Sequence, residues 1–170
     1  AQLDGSADNA RIWQAAPLSW QELHKYFGDL MRFEDEVRFD PLLDRAVSRR
    51  KLMLDALCLR EEPLAADRDA VTRALLAGLK DVSRLPWDDQ SRFLRDRVRF
   101  LRGLDETTWP NLSDDALQAS LTDWLGPFAV GARSMADLAR VPLLDALKNL
   151  IGWEKLKLLD RLAPEHLDVP

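Results

Sequence analysis

Four arginines, Arg92, Arg95, Arg99 and Arg102, recur at spacings of +3, +4 and +3 in a segment that reads as helix. At about 100° per residue they fall within roughly one quarter of a helix circumference. Guanidinium forks in a row suit bidentate contact with phosphate oxygens, so the row is a candidate nucleic-acid-binding ridge. A plainer reading stays open, in which the row is a solvated face paired with nearby acids such as Asp88 and Asp89. Leu94, Val98 and Leu101 should fill the opposite side of this helix, with Phe93 and Phe100 flanking. A second basic cluster is Arg45, Arg49, Arg50 and Lys51. Strand alternation would put Arg49 and Lys51 on one face, which makes them further nucleic-acid candidates. If the row contacts phosphates, Gln at positions 95 and 99 should leave the fold intact and flatten the salt dependence of binding by about 1–2 in log–log slope.

Other chemistry finds little support. The seven glycines include no Gly-x-x-x-x-Gly-Lys-Ser/Thr string, so no phosphate loop is present and no Asp-Glu-Ala-His box occurs. The chain alone is expected neither to bind nor to hydrolyse ATP. His24 and His166 have no second His or Cys at metal-ligand spacing. The acid pairs Glu61-Glu62, Asp88-Asp89 and Asp114-Asp115 precede or open helices, where caps and dipoles account for them. No Ser-His-Asp set can be argued without geometry. The one cysteine, Cys58, rules out an internal disulfide and, between Leu57 and Leu59, reads as a buried inert thiol. It is consistent with a reducing cytoplasm. Of the six tryptophans, Trp87, Trp109, Trp124 and Trp153 sit at helix ends and read as packing residues. Trp13 and Trp20, in the strand-rich part, are the better candidates for stacking on a nucleobase.

These residues need elements to hold them. Residues 1–62 read as strand-rich and 63–170 as helical, an α+β chain that is predominantly α. Pro17 stops a short apolar run from Ile12, and Ser19 caps a helix to about Phe27. Val37 and Phe39 alternate with Glu36 and Arg38 as a half-buried strand does, and Asp40-Pro41 signals a turn. The stretch from Ala46 to Leu59 is read as one long strand, although Leu52, Ala56 and Leu59 also have helical spacing. Asp67 caps a helix carrying Val71, Leu75, Leu79 and Val82 that Pro86 breaks. Asp88 opens the Arg-rich helix to about Arg102, with Gly103 as the residue after its end. Further helices should start at Ser113, Ser134 and Pro142, with Gly152 separating the last, Trp153 to about Leu162.

At 170 residues, 46% hydrophobic and 31% charged, the chain has the composition of a globular protein of one or two domains. No apolar run is long enough to span a bilayer. The net charge of −5 speaks against nucleic-acid binding by the whole surface. Residues 84–102 nevertheless hold six Arg against three Asp, while 103–170 hold six Lys or Arg against eleven acids. Any basic footprint is therefore local.

Three ordered strings carry a resemblance. They are Trp109-Pro-Asn-Leu-Ser-Asp-Asp-Ala-Leu117, then Trp124-Leu-Gly-Pro-Phe128 with Gly131-Ala-Arg-Ser-Met-Ala-Asp-Leu138, then Leu162-Ala-Pro-Glu-His-Leu-Asp-Val-Pro170. Together they resemble the C-terminal region of bacterial HrpB-type DEAH-box ATP-dependent RNA helicases. Ala1-Gln-Leu-Asp-Gly-Ser6 with Ala10-Arg-Ile-Trp-Gln-Ala-Ala-Pro-Leu18 is similar to a strand-turn-strand pair that follows the helicase core in that family. Glu36–Asp40 and Ala46–Leu57 are similar to its next two strands. Trp13 and Gln14 depart from an expected Phe-Leu pair, and Asn111 stands for Asp. The resemblance implies a fragment of a longer protein, entering at Ala1 within a β element that is incomplete on its own and leaves room for an OB-like barrel. It also implies a non-catalytic accessory region that supports RNA binding or braces the motor domains, which use ATP and Mg, with RNA as partner. A helical protein-interaction module without nucleic-acid contact is the alternative.

Overall fold

The computed structural model describes residues 2–4, 11–14 and 16–165. Short strands β1 (Gln2–Asp4) and β2 (Arg11–Gln14) pair antiparallel. Helix α1 (Trp20–Phe27) begins at a capping box: the Ser19 hydroxyl accepts from Glu22 N while the Glu22 carboxylate accepts from Ser19 N at 3.0 Å. Three longer strands follow, β3 (Met31–Asp40), β4 (Arg45–Leu54) and β5 (Leu57–Pro63), in the order β3-β4-β5. The described strands lie in two open sheets, so they do not close into an OB-like barrel.

The β3–β4 turn is the one expected at Asp40-Pro41, with Asp40 Oδ1 accepting from Leu42 N and Leu43 N. The stretch 46–59 is not one strand. It breaks at a tight turn on Asp55-Ala56, where Asp55 takes φ 51°. Asp tolerates that left-handed conformation, but without a following Gly the turn carries no standard sequence signal. Cys58, expected to be buried, is exposed on β5, an edge strand of this sheet. His166 lies outside the described residues, as does the side chain of Trp13.

Helices make up the remainder: α2 (Arg68–Gly78), α3 (Asp89–Leu104), α4 (Asp114–Ala119), α5 (Leu121–Leu125), α6 (Met135–Leu138), α7 (Leu143–Ile151) and α8 (Trp153–Leu162). Two boundaries differ from expectation. α2 stops at Gly78, before Val82; a Cβ at position 78 would stand 2.1 Å from the Phe39 ring, so only glycine lets the β3 phenyl close on the helix end. α3 runs through Gly103 to Leu104 and is ended by Asp105. None of the described helices is long and apolar enough to cross a membrane.

Contacts divide the chain into two compact units. The first takes Ala1–Asp35 and Arg50–Glu62; the second takes Glu36–Arg49 and Pro63–Pro170. The hairpin tip thus groups with the helices, across the sequence boundary at 62/63. Within the second unit the tip is hydrogen-bonded directly to the α6 start: Ala46 N donates to Arg133 O at 2.7 Å and Met135 N to Asp44 O at 3.2 Å. The Gly131-Ala-Arg-Ser string makes that junction. Gly131 takes φ 88°, its N–H donates to the buried Thr72 hydroxyl at 3.1 Å, and Ser134, the expected helix start, forms a capping box with Asp137. The core of this unit is fully buried leucine, including Leu75, Leu76, Leu112, Leu117, Leu125, Leu138, Leu147 and Leu159.

Candidate nucleic-acid interface

The side chains of the Arg row divide by their angle on α3. Leu94, Val98 and Leu101 are buried as expected. Measured around the helix at about 100° per residue, Arg102 lies roughly 70° from the centre of that apolar face and Arg95 roughly 90°. Both therefore stand at its rim. Arg92 and Arg99 lie roughly 130–150° away and project to solvent. The row as a set of four free guanidiniums is not present in this conformation.

The two rim arginines grip one loop. Arg95 Nε and Nη2 donate to the Leu112 carbonyl at 3.3 and 2.9 Å, and Nη2 also pairs with Asp114. Its guanidinium lies over the Trp87 ring, 4.5 Å from the centroid, and only 12% of its side chain is exposed. Arg102 Nη1 donates to Trp109 O at 2.7 Å and Glu106 O at 2.9 Å, while Nη2 meets the Glu106 carboxylate at 2.6 Å. The Trp109-Pro-Asn-Leu-Ser string is thus tied to α3 at both ends. Asp88 and Asp89 do not pair with the row; Asp88 caps α3 by accepting from Ser91 N at 2.7 Å.

The loop is also pinned at its start. Asp105 Oδ1 accepts from Thr107 Oγ1 at 2.8 Å, Thr107 N at 3.1 Å and Thr108 N at 3.3 Å. Hydrogen bonds from Thr108 and then Thr107 hold its carboxyl down to about 2. A carboxylate depressed in the fold stabilises it fully above its ordinary pKa and loses that contribution as pH falls towards the folded value. The denaturation midpoint should therefore fall between about pH 4 and pH 2, and less steeply in Asp105→Asn, which should start from a lower midpoint at pH 7. Parallel urea titrations of the two proteins across that range check this; identical slopes would contradict it.

Arg99 is exposed and meets Asp96 at 3.9 Å. Arg92 is exposed, with Nε donating to Trp87 O at 3.2 Å. Arg49 and Lys51, at alternate positions of β4, are half-buried and each has an interaction partner. Arg50 between them forms a two-point pair with Asp35, at 2.7 and 2.8 Å. The sequence reading missed Arg97. It is 7% exposed, and donates to Ala163 O at 2.7 Å, Asp160 at 2.7 Å and Glu165 at 3.0 Å. Its position, roughly 70° from the apolar centre on the side opposite Arg102, was a legible sign of burial.

Trp87, Trp109 and Trp124 pack as expected, Trp109 and Trp124 at 3% and 2% exposure. Trp153 does not; it is 69% exposed. Trp20 is 52% exposed, in keeping with its candidacy for stacking. Among the described residues, no group of three or more His, Cys, Asp or Glu could hold a metal ion. Gly126 and Gly131 have the Gly-x-x-x-x-Gly spacing, but Ala132-Arg133 follows where a phosphate loop has Lys-Ser/Thr. These residues do not fit ATP and Mg.

A helical unit with an arginine-clamped Trp-Pro loop and a capped Gly-x-Arg-Ser junction is the setting of the resemblance strings. Residues 124–170 match the ATP-dependent helicase C-terminal family. In sequence and fold the chain is similar to the C-terminal region of HrpB-type helicases. A relative from Escherichia coli K12, the ATP-dependent RNA helicase HrpB, is 32% identical over 99% of this chain and 21% of its own length. Two crystal structures are similar, both at TM-score 0.61. One, of the E. coli DExH-box NTPase HrpB, is 31% identical over 99% of this chain and 22% of that one. The other, of the E. coli DEAH/RHA helicase HrpB, is 29% identical over 94% and 20%. The chain spans about one fifth of the length of these relatives.

Proposed function

We propose that this chain is a non-catalytic accessory region of an ATP-dependent RNA helicase, that it supports RNA binding beside the motor domains, and that ATP with Mg is used by those domains. The observation that carries this is the match, along 99% of the chain, to a protein named as an RNA helicase. The absence of a phosphate loop from the sequence agrees with an accessory role. Within the helical unit the RNA contacts fall to Arg92 and Arg99, which remain exposed on α3. Arg95 and Arg102 shape the surface instead. A cytoplasmic setting goes with this reading and keeps the exposed Cys58 thiol reduced.

Phosphate contacts release counterions at about 0.7 per contact on single strands. Arg92→Gln with Arg99→Gln should therefore lower the log–log salt slope of single-stranded RNA binding by about 1.4 and weaken all sequences alike. Fluorescence anisotropy over a salt series measures it, and an unchanged slope would remove these two residues from the interface. A second reading has one observation in its favour. Phe93, Phe100 and Leu104 lie along one face of α3 and are 46%, 63% and 74% exposed, which suits a protein-interaction module. In that case the double variant would bind RNA no differently, because the chain would not bind RNA.

A further inference from the structure

The first unit contains a pocket of about 350 Å³ lined by Trp20, His24, Phe33, Leu52, Arg60 and Glu62. That volume is at the lower end of the range for small-molecule sites. Four elements build it. Trp20 and His24 are four residues apart on α1, so they share a helix face; their ring centroids are 6.2 Å apart. Phe33 comes from β3, Leu52 from β4, and Arg60 and Glu62 from alternate positions of β5. Leu52 is half-buried, whereas Trp20 and Phe33 are 52% and 67% exposed. Two large rings are thus held at a wet opening over an aliphatic side chain. An aromatic core residue would be covered, and an aromatic ring kept open beside polar groups suits a flat π ligand.

The polar groups at the pocket are specific. His24 Nδ1 lies 2.9 Å from the Trp20 carbonyl, which can only accept, so Nδ1 carries the proton. The neutral ring then has Nε2 as an acceptor. Glu62 offers carboxylate oxygens and Arg60 offers donors, the two joined at 3.3 Å. Arg50 lies 5.8 Å from the Phe33 centroid and is itself paired with Asp35. The charges come as matched pairs, so the pocket has no net attraction for a phosphate. It has faces to stack on and two acceptors for an N–H.

We propose that this pocket takes a single nucleobase bearing an exocyclic amine, cytosine or adenine, from a single RNA strand, stacked against Trp20 and Phe33 with its amine directed to His24 and Glu62. The proposal rests on the RNA-binding reading above and adds a base-reading site to it. Glutamate accepting from a cytosine amine is an established pairing geometry, and stacking tolerates either base. Because the contacts are not ionic, they should affect affinity without affecting its salt dependence. That separates the pocket from the phosphate contacts of Arg92 and Arg99.

The test uses the full 170-residue chain and 12-nucleotide homopolymers rC, rA and rU, with Kd measured over a salt series. Cytosine against uracil is the decisive pair, since the two are alike in size and differ in the amine. Wild type should bind rC more tightly than rU. Trp20→Ala and Phe33→Ala should each weaken rC binding about tenfold with no change in salt slope, and Trp20→Phe should retain most of the affinity. His24→Phe, which keeps a ring and removes the acceptor, should reduce the preference for rC over rU. Circular dichroism and thermal midpoints establish that each variant is folded; both rings are more than half exposed. If Trp20→Ala and Phe33→Ala bind rC as wild type does while salt-dependent binding persists, the pocket proposal is overturned and the RNA-binding reading stands. Equal binding of rC and rU would overturn the amine assignment. If the wild-type chain binds none of the three, both readings fall and the exposed rings belong to a protein contact.

Discussion

Trp124→Ala is expected to destabilise the helical unit by about 3–5 kcal/mol, a large part of the 5–15 kcal/mol by which a domain is usually stable. The indole is 2% exposed and belongs to the main hydrophobic cluster with Leu117, Leu121 and Leu125. It stacks on Trp87 with ring centroids 6.4 Å apart and planes 26° apart. Its Nε1–H donates to Leu117 O at 2.9 Å, so it also ties the end of α5 back to α4. Truncation opens a cavity and frees a buried carbonyl at once. Trp124→Phe separates these effects, because it keeps most of the ring and removes the donor; about 1–3 kcal/mol is expected. Urea denaturation measures both. A loss below about 1 kcal/mol in the alanine variant would mean that the Trp-Leu-Gly-Pro-Phe string is not there for packing.

That result bears on how the sequence should be read. The helix starts at Ser113 and Ser134, the span Trp153–Leu162 and the break at Gly152, with φ 85°, were all visible, because capping and left-handed glycine are local physics. The failures depend on partners distant in sequence. Gly78, the last residue of α2, has no room for a Cβ because Phe39 arrives from the hairpin, 39 positions away. The Asp55-Ala56 turn lacks the glycine that would have announced it. Cys58 looked buried between two leucines, yet Leu57 is 65% exposed, so neighbours in a strand say little about which face is covered.

The Arg row shows the same limit at the candidate site. Four guanidiniums in one quarter of a circumference were read correctly as a row. Whether a row is a ridge or a rim depends on its angle to the apolar face. Arg95 and Arg102 lie near that face and were captured by the loop at 105–114; Arg97, on the other edge, was captured by the α8 terminus. In the sequence the Trp109-Pro string and the row stand apart. They are one feature, since Arg102 holds Trp109 O and Arg95 holds Leu112 O.

A direct consequence is that Arg95 and Arg99 should respond in opposite ways to the same exchange. Arg95→Gln removes two hydrogen bonds to the carbonyl of Leu112, a residue with 0% exposure, together with the Asp114 pair and the contact over Trp87. Hydrogen bonds from a charged donor contribute about 1.5–3 kcal/mol each, and the freed carbonyl adds a desolvation cost that the shorter Gln cannot reach to offset. Asp114 is 60% exposed and regains water, so its share is small. We expect a loss of about 2–3 kcal/mol for Arg95→Gln, contrary to the surface behaviour that the sequence alone suggests. Arg99→Gln should change stability by less than about 0.5 kcal/mol, because its partner Asp96 is 3.9 Å away and both side chains are mostly in solvent. RNA affinity should separate them the other way. Under conditions where both remain folded, Arg99→Gln should lower the salt slope by about 0.7 while Arg95→Gln leaves it near wild type. Denaturant titration and anisotropy on the same two variants give the four numbers. A stable Arg95→Gln with a flattened salt slope would mean that the guanidinium leaves the loop for phosphate, and the clamp would then be a resting state of the RNA contact.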